Sequence, residues 1–188
     1  MRLLRWLTGI GRPETDPRRL AWRDAWSRAA GAAEVTALPV LSQDLDALDL
    51  AEEEIEIERE MLAALQDLAE LIAAVRLSGL PVIATGHRAA AGDACHFIAP
   101  ASMPDDPAQP TGRLLLTSRR AIFVGGASRA LPWHRFRAIL HQDRDLVLLG
   151  TDHGLEHRFR CNSFSDALRS AFVARTLIAA HRPPGPGL

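Results

Sequence analysis

Residues 112–126 read Gly-Arg-Leu-Leu-Leu-Thr-Ser-Arg-Arg-Ala-Ile-Phe-Val-Gly-Gly. Two short apolar runs, 113–117 and 121–124, flank the polar pair Ser118-Arg119, with glycine at both outer ends. That is the spacing of an antiparallel hairpin, and each run is too short for a helix. The same pattern continues outward. Further short runs at 81–84, 94–99, 136–141, 145–149 and 156–161 are separated by turn signals such as Asp152-His153-Gly154. Seven strands in series are therefore expected from residue 80 onward. A last helix is expected to begin near Ser163, with Asp166 three residues on as an imperfect capping box, and to stop before Pro183-Pro184.

Upstream of residue 80 the period is helical. Asp16-Pro17 reads as N-cap and first helical residue of a segment running to about Ala30, with Trp22 and Trp26 four apart on a packing face. Pro39 marks a loop over 31–42. From about Asp46 to Leu77 one long helix is expected, ending at Gly79 and Pro81. Its length of about 45 Å exceeds the width of a domain this size, so part of it projects or lies across another copy, in coiled-coil style. Leu65, Leu68, Ile72 and Val75 follow 3-4-3 spacing and are the candidate interface. Glu52 to Glu60 hold six Glu and one Arg, read as a solvated acidic face. Before all of this, residues 1–11 place Leu3, Trp6 and Leu7 among Arg2 and Arg5. That segment reads either as a short interfacial membrane contact or as a turn tucked onto the domain.

The stretch from Gly112 to Gly125, then Trp133, Ile139 and a strand carrying Phe159 that leads straight into a helix, resembles the GRAM and bacterial PH-like (pleckstrin-homology superfold) modules over about residues 92–181. The resemblance implies an α+β fold: N-terminal helices, then a seven-stranded antiparallel barrel closed by a C-terminal helix. The helices before the barrel lie outside the family pattern. So does Ser118, which stands where the family usually has Asn. The superfold hosts lipid-binding, peptide-binding and architectural roles. Its lipid-binding members hold phosphorylated headgroups with basic residues at the open end of the first strands, and the matching region offers Arg113, Arg119 and Arg120. Strand alternation adds Arg158 and Arg160 opposite His157, Phe159 and Cys161, and Arg135 and Arg137 opposite Phe136, Ala138 and Leu140.

Composition removes several activities. The 188 residues contain 22 arginines and no lysine, which excludes P-loop, Schiff-base and S-x-x-K chemistry. With abundant alanine, this points to a high-GC genome that writes arginine for every basic residue. Neither a G-x-S-x-G elbow nor a G-x-G-x-x-G fingerprint occurs. His87, Cys95 and His96 have the donor types for zinc without a short-motif spacing, and they carry the alternative of a metal-binding protein or enzyme. Two cysteines form no disulfide framework, no run approaches eighteen uncharged apolar residues, and the first residues lack a signal-peptide pattern. Cytoplasm is the expected location, with peripheral contact at the inner membrane face under the lipid reading. Net charge is 0 over residues 1–50, −6 over 51–82 and +5 over 83–188; with a pI near 6.7 and the acidic helix, nucleic acid is not expected as a partner.

The expected organisation is an N-terminal arm with a Trp-containing helix (1–44), a long acidic helix (45–79), the barrel with its closing helix (80–182) and a tail (183–188). A non-enzymatic adaptor without cofactor follows. Either barrel arginines meet an anionic membrane surface, or the barrel is a scaffold and residues 46–77 bind a protein partner or a second copy.

Overall fold

The computed structural model describes residues 16–126, 128–152 and 154–181. Helix α1, Pro17–Ala32, starts where Asp16 predicts: its carboxylate accepts the Arg18 backbone N–H at 2.8 Å, and Pro17 costs nothing at the first helical position. Trp22 and Trp26 are buried on its inner side, and their indole N–H groups donate to the carbonyls of Leu41 (2.8 Å) and Met61 (2.7 Å). Both rings thus bury their area without stranding a polar atom.

The long helix expected over 46–77 starts only at Glu56: α3 spans Glu56–Ser78, and a separate helix, α2, Leu38–Asp46, forms largely where a loop was expected, the two being about 35 and 14 Å long at 1.5 Å per residue. Pro39 does not block α2, because it sits in the first turn where its missing N–H is not needed. Between the helices Asp49 takes a left-handed φ of 53°, and a 3-10 turn at Glu52–Glu54 carries Ile55 into the core. The Glu54 carboxylate accepts the Ala51 N–H at 3.1 Å. Leu48, Ile55, Leu65 and Leu68 share a helical spacing in sequence but meet in one core with Trp22, Trp26, Phe164 and Leu168.

The seven strands are β1 Cys95–Ser102, β2 Thr111–Thr117, β3 Arg120–Val124, β4 Arg129–Pro132, β5 Phe136–Gln142, β6 Asp145–Gly150 and β7 Glu156–Cys161, followed by α4, Phe164–His181. All pairings are antiparallel in the order β4-β3-β2-β1-β7-β6-β5. This is the expected PH-like α+β arrangement, except that the sheet is not closed: β4 and β5 are its two edges. One expected strand is replaced. Residues 81–84 make only a single bridge, Ile83 to Cys95, while the short β4, which ends in Pro132, takes the seventh place at an edge, where proline is tolerated.

α4 covers the inner face of the sheet. Phe97, Leu114, Phe123, Trp133, Leu148 and Phe159 pack there with Ala171, Ala174, Leu177 and Ile178. The run Leu114-Leu115-Leu116 is buried on both faces, because residues 83–94 strap the outer one, where Leu115 and Ile122 meet Ala90 and Cys95. Gly112 has to be glycine: a Cβ there would stand 2.2 Å from the Val124 carbonyl oxygen. In β5 the alternation read from sequence fails after Arg137. A register shift between Phe136 and Ala138 turns Ile139 inward and leaves Leu140 exposed.

Candidate binding surfaces

The arginines expected to form an anion site are divided by the fold. Arg113 lies near the start of β2 and is exposed, while Arg119 and Arg120 follow the end of the same strand. Six residues of extended chain separate Arg113 from Arg119, about 20 Å, so these three do not make one patch. Arg120 Nε donates to Asp93 Oδ2 at 2.9 Å, and Arg119 Nη1 stands 3.4 Å from Asp93 Oδ1. The Asp93 side chain is fully buried, and the Thr117 hydroxyl donates to it at 3.2 Å. This clasp holds the strap against the β2–β3 turn.

β7 repeats the arrangement. Arg160 donates from Nε and Nη2 to the two oxygens of Asp145 at 2.8 and 3.0 Å. Arg158 reaches Glu156 at 3.0 Å, Asp105 at 3.2 Å and Asp145 at 3.4 Å. The side chain of Asp145 is only 6% exposed. These contacts raise the pKa of both guanidiniums, for Arg158 chiefly through Glu156 and for Arg160 chiefly through Asp145. Four of the seven candidates are thus held by buried carboxylates. Arg135 and Arg137 are exposed at the turn into β5, Arg137 at the bulge. Arg129, which was not a candidate, pairs with Asp106 in the β1–β2 loop. His157 packs its ring edge-on against Phe136 at 6.0 Å, and burial, aided by Arg129 and Arg135, pushes its pKa down.

Of the proposed helix interface, Leu65, Leu68 and Ile72 point into this chain's own core, and Val75 is half-buried. The acidic face is likewise less solvated than expected. Glu58 is fully buried and takes hydrogen bonds from Arg19 (2.6 and 2.9 Å) and Arg23 (2.6 Å) of α1. Glu60 pairs with Arg144, whose guanidinium stands 4.8 Å from the Phe164 ring centre. Leu3, Trp6 and Leu7 lie outside the described residues.

Two of the three zinc candidates lie against backbone carbonyls. Cys95 is buried and its thiol lies 3.3 Å from the Phe97 carbonyl oxygen, while His96 Nδ1 lies 2.8 Å from the Pro81 carbonyl oxygen. Among the described residues no three His, Cys, Asp or Glu side chains are grouped as a metal site, and no helix is long and apolar enough to cross a membrane.

A groove that the sequence did not signal runs between the C-terminal half of α3, the start of α4 and β1. One part, about 380 Å³, is lined by Asp67, Glu70, Leu71, Ala74, Pro81 and Arg169 among others. It continues past Leu71, Pro81 and Arg169 into about 220 Å³ lined by Ile83, His96, Phe97, Ile98 and Val173. Leu77 (89% exposed) and Val82 (70% exposed), each next in sequence to residues of its lining, are bare apolar side chains. Leu77 falls off the buried stripe of α3, and Val82 lies in an apolar run that makes only the single Ile83–Cys95 bridge.

No family model and no curated relative matches the sequence. Solved structures that resemble the chain include the linker-DH/PH unit of p115-RhoGEF, at 14% identity over 80% of this chain and 55% of that one, with a TM-score of 0.43. A structure of the Vav1 exchange factor with its PH and C1 domains matches at 13% over 80% and 46%, TM-score 0.41. The C-terminal domain of an unknown protein from Leishmania infantum matches at 12% over 47% and 87%, TM-score 0.39. The chain spans about half the length of the two exchange-factor chains. The PH-like description rests on this chain's own element order.

Proposed function

We propose that the protein is a non-enzymatic adaptor whose PH-like unit docks a segment of a protein partner in the groove between α3, α4 and β1. The observation that carries this reading is that buried Asp93 and Asp145 already occupy four of the arginines an anionic membrane would need. Turning both arginines away from Asp93 or from Asp145 would leave a buried carboxylate without a cation, which costs about 3 kcal/mol, the low end because the guanidiniums are 28–73% exposed. Attraction to anionic lipid returns about 1 kcal/mol per charge. The pairing therefore wins over the lipid.

The groove has the complementary character. Leu71, Ala74, Pro81, Ile83 and Val173 give it an apolar floor, and its rim carries Asp67, Glu70 and Asp166 against Arg169. An apolar segment with a basic flank fits that balance. Two measurements on the full chain test the proposal. Flotation with anionic vesicles at low salt is expected to leave the protein unbound; salt-sensitive binding overturns the reading in favour of the lipid surface. Selection from a random peptide library is expected to return apolar peptides carrying Arg or Lys that no longer bind Ala74→Arg, a change at an exposed lining position. Peptides indifferent to that change refute the groove.

A further inference from the structure

A second groove lies on the other side of α3, between it and α2. It measures about 460 Å³ and is lined by Leu38, Pro39, Ser42, Arg59, Leu62 and Ala63, with Gln66 at its end, within the range of about 300–1,000 Å³ typical of ligand clefts. Its mouth is acidic. Asp46 and Glu52 share the single Arg59 at 3.0 Å each, and Glu53 and Glu56 are exposed beside them.

We infer that this groove is occupied by the chain's own residues 2–10, Arg-Leu-Leu-Arg-Trp-Leu-Thr-Gly-Ile. Three observations converge on this occupant. The first is chemistry: on a helical spacing Leu3, Leu7 and Ile10 share one face while Arg2 and Arg5 fall on another, an apolar stripe for the floor and two cations for the acidic mouth. The second is reach. Arg18 Nη2 donates to the Leu48 carbonyl at 3.3 Å, which sets the start of α1 beside the end of α2. From Leu48 back to Ser42 is about 9 Å along a helix, and residues 11–15 can span about 17 Å. The third is charge: residues 51–82 carry a net −6, the most negative part of the chain, and residues 1–11 hold no acid. Docking there sequesters Leu3 and Leu7 from a membrane or another protein, so contact by this segment requires its release. This surface is separate from the groove beside α4.

The experiment uses the full chain with a nitroxide label on Thr8→Cys, a position off the apolar stripe. Cys95 and Cys161 are buried with raised thiol pKa values, that of Cys161 to about 12, and stay unlabelled at neutral pH. Amide signals of Ser42, Leu62, Ala63 and Gln66 are expected to be lost by paramagnetic broadening and to return in Ala63→Arg, an exposed position where the change fills and charges the groove without disturbing the core. Broadening centred elsewhere, or none, overturns the inference. So does broadening of an isotope-labelled chain by a separate nitroxide-labelled chain at the same strength, which would assign the segment to a second copy.

Discussion

Glu58→Gln isolates the most loaded ionic contact of the helical layer. The carboxylate is fully buried and receives Nε and Nη2 of Arg19 and Nε of Arg23 at 2.6–2.9 Å. Burial alone would raise its pKa; the hydrogen bonds from Arg19 and Arg23 overcome that, and the net direction is down. Removing the charge strands two guanidiniums against each other, and breaking a buried pair costs about 3–5 kcal/mol. The low end, about 3 kcal/mol, applies because Arg19 and Arg23 keep 23% and 35% exposure and can turn toward water. With an unfolding entropy of about 2.1 cal/mol/K per residue over 188 residues, the melting temperature falls by about 8 °C. Because the folded pKa lies below the ordinary 4.5, this stabilisation is complete above pH 4.5 and is lost as the pH falls through the folded value. The assay is thermal unfolding by circular dichroism at pH 7 and at pH 3.5, with the deficit of Glu58→Gln expected at pH 7 and shrinking at pH 3.5. A deficit of under about 2 °C at pH 7, or one that does not change with pH, would show that the carboxylate contributes no net ionic stability, the outcome when desolvation cancels the attraction within a buried pair.

Gly112→Ala is expected to force β2 and β3 apart at Val124, lowering the yield of soluble protein and speeding amide exchange in the β2–β3 hairpin; wild-type protection of the Leu114 and Phe123 amides in the variant would refute the close approach. His141 sits edge-on to Trp26 at 5.8 Å with Nε2 unbonded, and burial, with Arg175 nearby, lowers its pKa while Asp143 and Asp145 oppose the shift. The unfolded chain therefore binds more protons below about pH 6.5, so stability should be full above that pH and decline toward pH 5, and His141→Phe should flatten part of that decline in denaturant titrations. Cys161, its thiol pushed up to about 12 by burial, should react with a disulfide reagent at pH 8 only as fast as the protein unfolds; a burst of modification in native protein would contradict its placement.

The β half was legible because its signals are local. A polar turn between two apolar runs fixed the β2–β3 hairpin, and the short turn after β6 fixes Asp145 opposite Arg160, a pairing open to anyone who extends the register. Asp16-Pro17 located α1 for the same reason. The break between α2 and α3 was not legible: Leu48 and Ile55 continue a helical spacing across it, and only the positive φ of Asp49 and the tertiary pull on Ile55 end the helix. Nor were the partners of the arginines. Asp93 lies 26 and 27 residues from Arg119 and Arg120, in a strap whose course over β2 no local pattern encodes. Alternation assigned the arginines to an outward face and could not say that carboxylates wait there.

The acidic run of α3 binds the two layers together, and this decides how any ligand would be felt. Glu58 ties α3 to α1; Glu60 ties it to Arg144 in the β5–β6 turn and accepts the Phe164 N–H at 3.3 Å; Asp67 accepts the Ser165 hydroxyl at 2.5 Å. α4 completes the link, with Phe164 and Leu168 in the helical core, Ala171 and Leu177 in the sheet core and Phe172 touching both. A segment seated between α3, α4 and β1 therefore presses on a seam shared by both cores. Cores packed to native density transmit displacement rather than absorb it, so occupancy of that groove bears on the placement of α3, and through it on the acidic groove against α2.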